Sequence, residues 1–224
     1  FMVPPMLEAF TRSKDSTYLS SATRAYDHYV SELKTKGYSP AGALDTWCID
    51  KESSISLLRS ALKLYNLTSN KEYLDDAVAV SYYLSTWLWH YNGVYPENDN
   101  FTQYNYKTFG ATSVSVQHHH LDPYALFWVP EWFELTKLTG DSQWKEKAIA
   151  IWHNGCQLIS DGTLVINGRV RPVGSQNEAY LQSHWNWDAA PHFDRLNSWL
   201  VAWPGAFRLE TLRKLDVIDA PQIQ

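Results

Sequence analysis

The chain contains the turn segment Leu64-Tyr-Asn-Leu-Thr-Ser-Asn70 and repeats it as Leu135-Thr-Lys-Leu-Thr-Gly-Asp141, 71 residues later. The match continues past the turn, where Ala77 corresponds to Ala148, and a looser copy begins near Tyr18. Each copy is typical of a helix, a tight turn with an Asn or Asp helix cap, and a second helix. A repeat of this length and content predicts stacked helical hairpins.

Helical periodicity extends along most of the chain. It predicts six long helices over about 17–36, 51–67, 71–91, 119–138, 142–158 and 194–215, with a short one near 5–10. Pro130 and Pro204 are expected to kink the helices that contain them. One β-hairpin is predicted around Asn167-Gly168, because this dipeptide suits a type I′ turn between two apolar runs. The predicted fold class is therefore all-α with one small hairpin in a loop.

Short and long connections alternate between these predicted helices. The short ones lie near 12–16, 68–71 and 139–142, and the long ones near 37–49, 92–118 and 159–193. In a stack of antiparallel hairpins, this alternation places every long loop on the same face. Long loops on a rigid scaffold usually carry function, so this face is the predicted site.

Composition narrows the function classes. The 224 residues are 45% hydrophobic and 19% charged, which predicts a packed core rather than disorder. The net charge of −5 and the absence of a basic stripe argue against a nucleic-acid partner. Aromatic residues make up 15%, with 11 Trp and 14 Tyr, a density that suits a cleft in which sugar rings stack on aromatic rings. The tryptophans at helical positions are instead expected in the core, and they are Trp87, Trp89, Trp152, Trp199 and Trp203.

Other sequence features carry little signal. Cys48 and Cys156 form neither a disulfide framework nor a metal motif. The apolar runs are too short to cross a membrane, so no membrane partner is predicted. No signal peptide is visible, and a cytoplasmic location is the default expectation.

The repeat and three loop segments resemble the six-hairpin glycosidase superfamily of (α/α)6 barrels, and within it a bacterial subgroup of glycosyl hydrolases. The segments are Asp45-Thr-Trp-Cys-Ile-Asp-Lys-Glu52, Lys107-Thr-Phe-Gly-Ala-Thr-Ser-Val-Ser-Val-Gln-His-His-His-Leu-Asp122 and Arg171-Pro-Val-Gly-Ser-Gln-Asn-Glu178. The resemblance implies an α/α toroid. A complete toroid has twelve helices, so residues 1–224 are expected to form one α/α-barrel domain that is about half of a larger toroid, the C-terminal part.

Cleavage of a glycosidic bond generally uses two carboxyl groups. Asp122 and Glu178 are the first candidates, because Asp122 follows three histidines in a polar loop and Glu178 lies in a polar loop without a capping role. Asp50 and Asp188 come next, although Asp50 is also placed to cap a helix. No metal or organic cofactor is implied.

The candidate substrate-binding residues are aromatic, imidazole, amide and guanidinium side chains of the long loops. They are Trp47, His118, His119, His120, Arg171, Gln176, His184, Trp185 and Trp187. Metal binding by the histidine run lacks a ligand spacing, and at most two of three adjacent histidines can face one cleft. Arg169 and Arg171 flank the hairpin turn and suit either a carboxylate-bearing sugar or a solvated hairpin edge.

The predicted function is a glycosidase, a hydrolase that acts on an oligosaccharide by carboxylate acid and base catalysis. Members of this toroid also include sugar epimerases, so an epimerase or isomerase that uses histidines is the first alternative. A non-catalytic glycan-binding module is the second. The sugar, the linkage, the stereochemical outcome and the oligomeric state are left open.

Overall fold

The computed structural model describes residues 1–39, 48–116, 120–178, 181–182, 200–215 and 219–223. The chain forms two compact units, Phe1–Thr86 and Trp87–Gln224. One continuous toroidal domain over residues 1–224 stays a prediction. No helix in the described ranges is both long enough and apolar enough to cross a bilayer.

The first unit consists of two helical hairpins. Its helices are α1 (Val3–Ser13), α2 (Ser16–Lys36), α3 (Glu52–Thr68) and α4 (Lys71–Ser85). The hairpins pair α1 with α2 and α3 with α4, and α3 also packs against α1 and α2. Accordingly α3 is the most enclosed helix of this unit, with Glu52 and three of its four serines buried, Ser54, Ser56 and Ser60.

The second unit contains a third hairpin, further helices and small sheets. Its helices are α5 (Asn100–Gln103), α6 (Val129–Thr139), α7 (Gln143–Gly155) and α8 (Trp203–Lys214), with 3₁₀ helices at Tyr124–Trp128 and Ala220–Ile223. Its strands are β1 (Thr112–Ser113), β2 (His120–Asp122), β3 (Val165–Ile166), β4 (Arg169–Val170) and β5 (Leu181–Gln182). The antiparallel sheet order is β1-β2-β5, and β3 pairs with β4. The short strands therefore lie in the loops before α6 and after α7.

Three hairpin turns have the same geometry, as the repeat predicts. In each, a residue in the left-handed conformation ends the first helix and donates its N–H to the carbonyl four residues earlier. These residues are Lys14, Ser69 and Gly140, with φ of 62°, 56° and 74°. The next residue caps the second helix by accepting a backbone N–H: Asp15 from Thr17 at 2.9 Å, Asn70 from Glu72 at 3.1 Å and Asp141 from Gln143 at 3.1 Å. The repeat thus reflects a turn that local residues define.

Replacement of Asn70 by alanine is expected to lower the free energy of unfolding by about 1 kcal/mol, because the N–H of Glu72 loses its acceptor. The measurement is the urea midpoint of the transition. Asn70→Asp is the matched control, since it keeps an acceptor at the cap and should keep the midpoint. An equal lowering of the urea midpoint in both variants would show that the loss does not come from the hydrogen bond of the cap.

The core of the second unit centres on three tryptophans of the α6–α7 hairpin and the 3₁₀ helix before it. Trp128, Trp132 and Trp144 are each fully buried. The rings of Trp128 and Trp132 meet edge to face at 5.9 Å between centroids, and those of Trp132 and Trp144 lie 5.8 Å apart. Burial of such rings contributes heavily to stability and fixes the angle of the hairpin.

The all-α class of helical hairpins is confirmed, and so is the Asn167-Gly168 hairpin, whose two turn residues have φ of 51° and 72°. The prediction of a single hairpin is wrong, because β1, β2 and β5 form a second small sheet. The helix expected over 119–138 also divides, since β2 and a 3₁₀ helix precede α6. The reason is that residues 120–122 pair with β1 and with the distant strand β5, which local periodicity does not report.

The expected proline kinks are wrong as well. Pro130 and Pro204 each lie in the first turn of a helix, α6 and α8, and start it rather than bend it. Proline suits this position because the first backbone N–H groups of a helix have no intrahelical acceptor. The α4 helix ends at Ser85, earlier than expected, and the chain then pairs through Leu88 with Thr112 of β1.

Candidate active site

An aromatic cluster marks the candidate site in the second unit. Tyr124 and Phe127 lie three residues apart on the first 3₁₀ helix, and Trp203 and Phe207 lie four apart on α8, so each element presents two rings on one side. The Tyr124 ring lies 5.2 Å from both α8 rings, and Phe127 lies 4.6 Å from Phe207. All four side chains are half-buried. The cluster therefore keeps part of its ring surface open to a ligand.

Glu178 borders this aromatic cluster. Its Oε1 accepts a long hydrogen bond of 3.4 Å from the indole Nε1 of Trp203, and its side chain is half-buried. None of the ion pairs within the described residues includes Glu178. Glu178 does not cap a helix, which agrees with the sequence prediction. Its carboxyl group is thus held beside aromatic rings without being neutralised by a described cation.

Asp122 approaches the same cluster from β2. It is buried, and its Oδ1 accepts hydrogen bonds from Thr112 Oγ1 at 2.9 Å and from the Tyr124 backbone N–H at 3.1 Å. Thr112 is also its register partner in β1. One carboxylate oxygen therefore fixes the start of the 3₁₀ helix. Asp122, Tyr124, Trp203 and Glu178 form one continuous series of contacts.

The loop that carries β1 is locked onto α7. Asn154 donates from Nδ2 to the carbonyls of Lys107 at 2.7 Å and Phe109 at 3.1 Å, and its Oδ1 accepts from the Tyr106 hydroxyl at 2.9 Å. Burial raises the pKa of Tyr106, so that its hydroxyl remains a donor. Gly110 has φ of 85°, and a Cβ there would lie 2.2 Å from the Ala150 carbonyl oxygen. Only glycine permits this approach, which positions β1 beside Asp122.

Gln176 holds the loop before Glu178 in place. It is buried, and its Nε2 donates to the carbonyls of Gly155 and Gln157, each at 2.8 Å. Its Oε1 accepts from Arg208 of α8. These bonds use its amide group to hold the loop before Glu178 against α7 and α8. They favour a positioning role for Gln176 over direct contact with substrate.

Asp50 lies in the first unit, at the start of α3. It is buried, and its Oδ1 accepts the backbone N–H of Glu52 at 2.6 Å, so the capping role is present. Its backbone carbonyl accepts from the Tyr83 hydroxyl at 2.8 Å. Lys51 and Glu52 are buried with it. Three consecutive charged residues are thus buried here. The burial of Lys51 was not predicted from the sequence, because lysine is rarely buried.

The remaining predicted site residues lie outside the described part of the chain. They are Trp47, His118, His119, His184, Trp185, Trp187 and Asp188. For His120 the structure describes the backbone, which pairs with Gln182 of β5. The expected convergence of three long loops on one pocket stays a prediction. No set of three or more His, Cys, Asp or Glu residues in the described ranges is arranged to hold a metal ion.

A cavity of about 400 Å³ lies along one side of α7 in the second unit. Its lining residues are Asn92, Lys107, Phe109, Glu146, Ile149, Ala150, His153, Asn154 and Gln157. None of them is a predicted site residue. Several are committed to the contacts that hold the loop on α7.

The sequence reasoning missed the α8 half of the aromatic cluster. Trp203 was expected in the core because it lies at a helical position, yet it is half-buried and donates to Glu178. The spacing of Trp203 and Phe207 was the available signal, since aromatic residues four apart share one helix face. That signal does not tell an open face from a covered one.

Comparison with known proteins gives a limited likeness. No protein-family model matches the chain, and no curated protein matches it significantly. Its structure is similar to an inactive variant of the alpha-1,6-mannanase GH76A of Salegentibacter sp. HEL1_6, solved in complex with alpha-1,6-mannotriose, at 16% identity and a TM-score of 0.49. The alignment covers 75% of this chain and 48% of that one, so the chain spans about half of its length. A likeness of this size leaves the function to be inferred from the chain's own residues.

Proposed function

We propose that the chain is carbohydrate-active and takes part in the hydrolysis of glycosidic bonds, with Glu178 and Asp122 as its working carboxyl groups. The observation that carries this proposal is the Glu178 carboxyl group at the edge of a half-open aromatic cluster. Aromatic faces stack on the C–H faces of a pyranose, and a carboxyl group beside them is placed to act on the glycosidic oxygen.

The two carboxyl groups are held differently, which suits different roles. Asp122 is fixed by two hydrogen bonds to one oxygen, and a fixed carboxylate suits the base that orients a water molecule. Glu178 has a single long hydrogen bond and is half-buried, which leaves it free to meet the leaving-group oxygen. We therefore assign Glu178 as the general acid and Asp122 as the base or nucleophile.

The test of the reaction class is a panel of oligosaccharides and aryl glycosides, neutral and acidic, followed by proton NMR. Hydrolysis gives new reducing-end signals, whereas epimerisation gives a sugar isomer without chain cleavage. Binding without either change identifies a non-catalytic module and overturns the assignment of Glu178 as an acid. The spectra thus separate the three functions that share this fold.

Replacement of Trp203 by alanine is expected to weaken glycan binding by about ten-fold, equivalent to about 1.4 kcal/mol, because a stacking ring is lost from the cluster. The measurement is the Kd from calorimetric titration. Leu209→Ala is the matched control, since Leu209 lies on the same helix and is 71% exposed. Equal affinities for both variants would place the sugar elsewhere.

A further inference from the structure

Arg171 is a buried cation without a partner in the described part of the chain. Its side chain is 6% exposed, and its Nε and Nη2 are buried without a hydrogen bond. None of the ion pairs formed by described residues includes it. Arg169, two residues earlier, is exposed. The two arginines that flank the hairpin turn therefore differ sharply in environment.

The backbone of Arg171 is fixed by the hairpin. Its N–H donates to the Leu164 carbonyl at 2.8 Å, and its carbonyl accepts from the Ser160 hydroxyl at 2.9 Å. The β3–β4 register continues to this pair, so Arg171 and Leu164 are cross-strand neighbours. Leu164 packs against an apolar cluster that includes Ile166 and Leu121, the residue before Asp122. The backbone at Arg171 is thus fixed by the hairpin, and its guanidinium is buried.

A charge in such a position is unfavourable unless an anion accompanies it. An arginine side chain stays charged in proteins, so only an anion offsets this cost. Its planar fork of N–H donors matches the two oxygens of a carboxylate. The two unused donors of Arg171 are therefore suited to a carboxylate that arrives with a ligand.

We infer that Arg171 binds the carboxylate of a uronic acid residue, which makes the substrate an acidic glycan. This inference rests on the proposed function, which supplies the premise that the ligand is a glycan. It adds the class of that glycan. Arg171 acts as a specificity residue. The carboxylate at C6 of the sugar supplies an anion that no described residue provides, whereas a neutral hexose supplies none.

The experiment compares two ligands that differ at C6, 4-nitrophenyl glucuronide and 4-nitrophenyl glucoside, in both anomers, by calorimetric titration. The glucuronide is expected to bind the wild-type protein at least about ten-fold more tightly, because hydrogen bonds to charged groups are stronger than neutral ones. Arg171→Gln should abolish this preference. Arg171→Lys should restore part of it, since lysine keeps the charge but not the fork. Arg169→Gln is the matched control and should keep the full preference.

A second readout is thermal stability without ligand. Arg171→Gln is expected to leave the melting temperature unchanged or raised, because it removes a buried charge that no described residue pairs with. A lowered melting temperature with an unchanged glucuronide preference would show that Arg171 has a structural role, and it would overturn the inference. Equal competition by sodium sulfate and by the glucuronide would identify a general anion site and would also overturn it.

The two proposals fail separately. Glucuronide binding that depends on Arg171, without cleavage of any acidic or neutral glycan, supports this inference and contradicts the assignment of Glu178 as an acid. Cleavage of neutral glycans at rates that Arg171→Gln leaves unchanged supports the hydrolytic function and contradicts the inference. Binding data decide the inference about Arg171, and turnover data decide the proposed hydrolytic function.

Discussion

Replacement of Glu178 by glutamine is expected to lower turnover of the glycan substrate by about 10²–10⁴-fold, the usual contribution of a general acid. Glutamine keeps an oxygen that accepts the hydrogen bond from Trp203 but does not supply a proton. The KM should change little, because the shape of the site is retained. The measurement is the split between kcat and KM on the substrate found in the glycan panel.

Glu210→Gln is the control for this expectation. Glu210 lies on α8, as Trp203 does, but it pairs with Arg213, and this interaction lowers the pKa of Glu210. Its replacement should leave kcat unchanged. Asp122→Asn is the companion variant, with a similar loss expected if Asp122 is the base. Full activity in both Glu178→Gln and Asp122→Asn would move the chemistry to other residues.

Replacement of Trp132 by alanine is expected to lower the free energy of unfolding of the second unit by about 3–5 kcal/mol. Trp132 is fully buried and contacts the rings of both Trp128 and Trp144, so alanine leaves a cavity at the centre of the α6–α7 hairpin. A loss of this size is a large share of the stability of a typical domain. Chemical denaturation followed by far-ultraviolet circular dichroism measures it.

Leu209→Ala again serves as a control, because a side chain that is 71% exposed contributes little on removal. Trp132→Phe should lie between the two, since the smaller ring retains part of the contact area. If Trp132→Ala costs less than about 1 kcal/mol, the hairpin has collapsed around the cavity, and the three tryptophans do not act as one core.

Elements that depend on neighbouring residues were predictable from the sequence. Each hairpin turn consists of a left-handed residue and a side-chain cap, and both signals lie within a few positions of each other. The Asn167-Gly168 hairpin has the same local character. The second sheet was not predictable, because β2 pairs with β5 through Leu121 and Leu181, which are distant in sequence. Periodicity within 119–138 therefore indicated a helix where the chain pairs as a strand.

In the candidate site, too, the features that depend on neighbouring residues were predictable and those that depend on distant ones were not. Glu178 was singled out because its loop gave it no capping role, and the structure agrees on that point. Trp203 was assigned to the core, since a sequence does not reveal which helix face is covered. Arg171 had two interpretations, a ligand contact or a solvated hairpin edge. Its burial excludes the solvated edge for Arg171, whereas Arg169 fits it.

The shared turn geometry also bears on the order of folding. Each turn closes a loop of only a few residues, so the hairpins can form early, before much chain entropy is lost. The β2–β5 pairing closes a loop of about sixty residues and is expected to form late. Newly made chains would then pass through a stage with formed helices and an unformed β1-β2-β5 sheet. At that stage the aromatic rings of α8 lack the neighbours that shield them, which exposes the chain to aggregation before the second unit is complete.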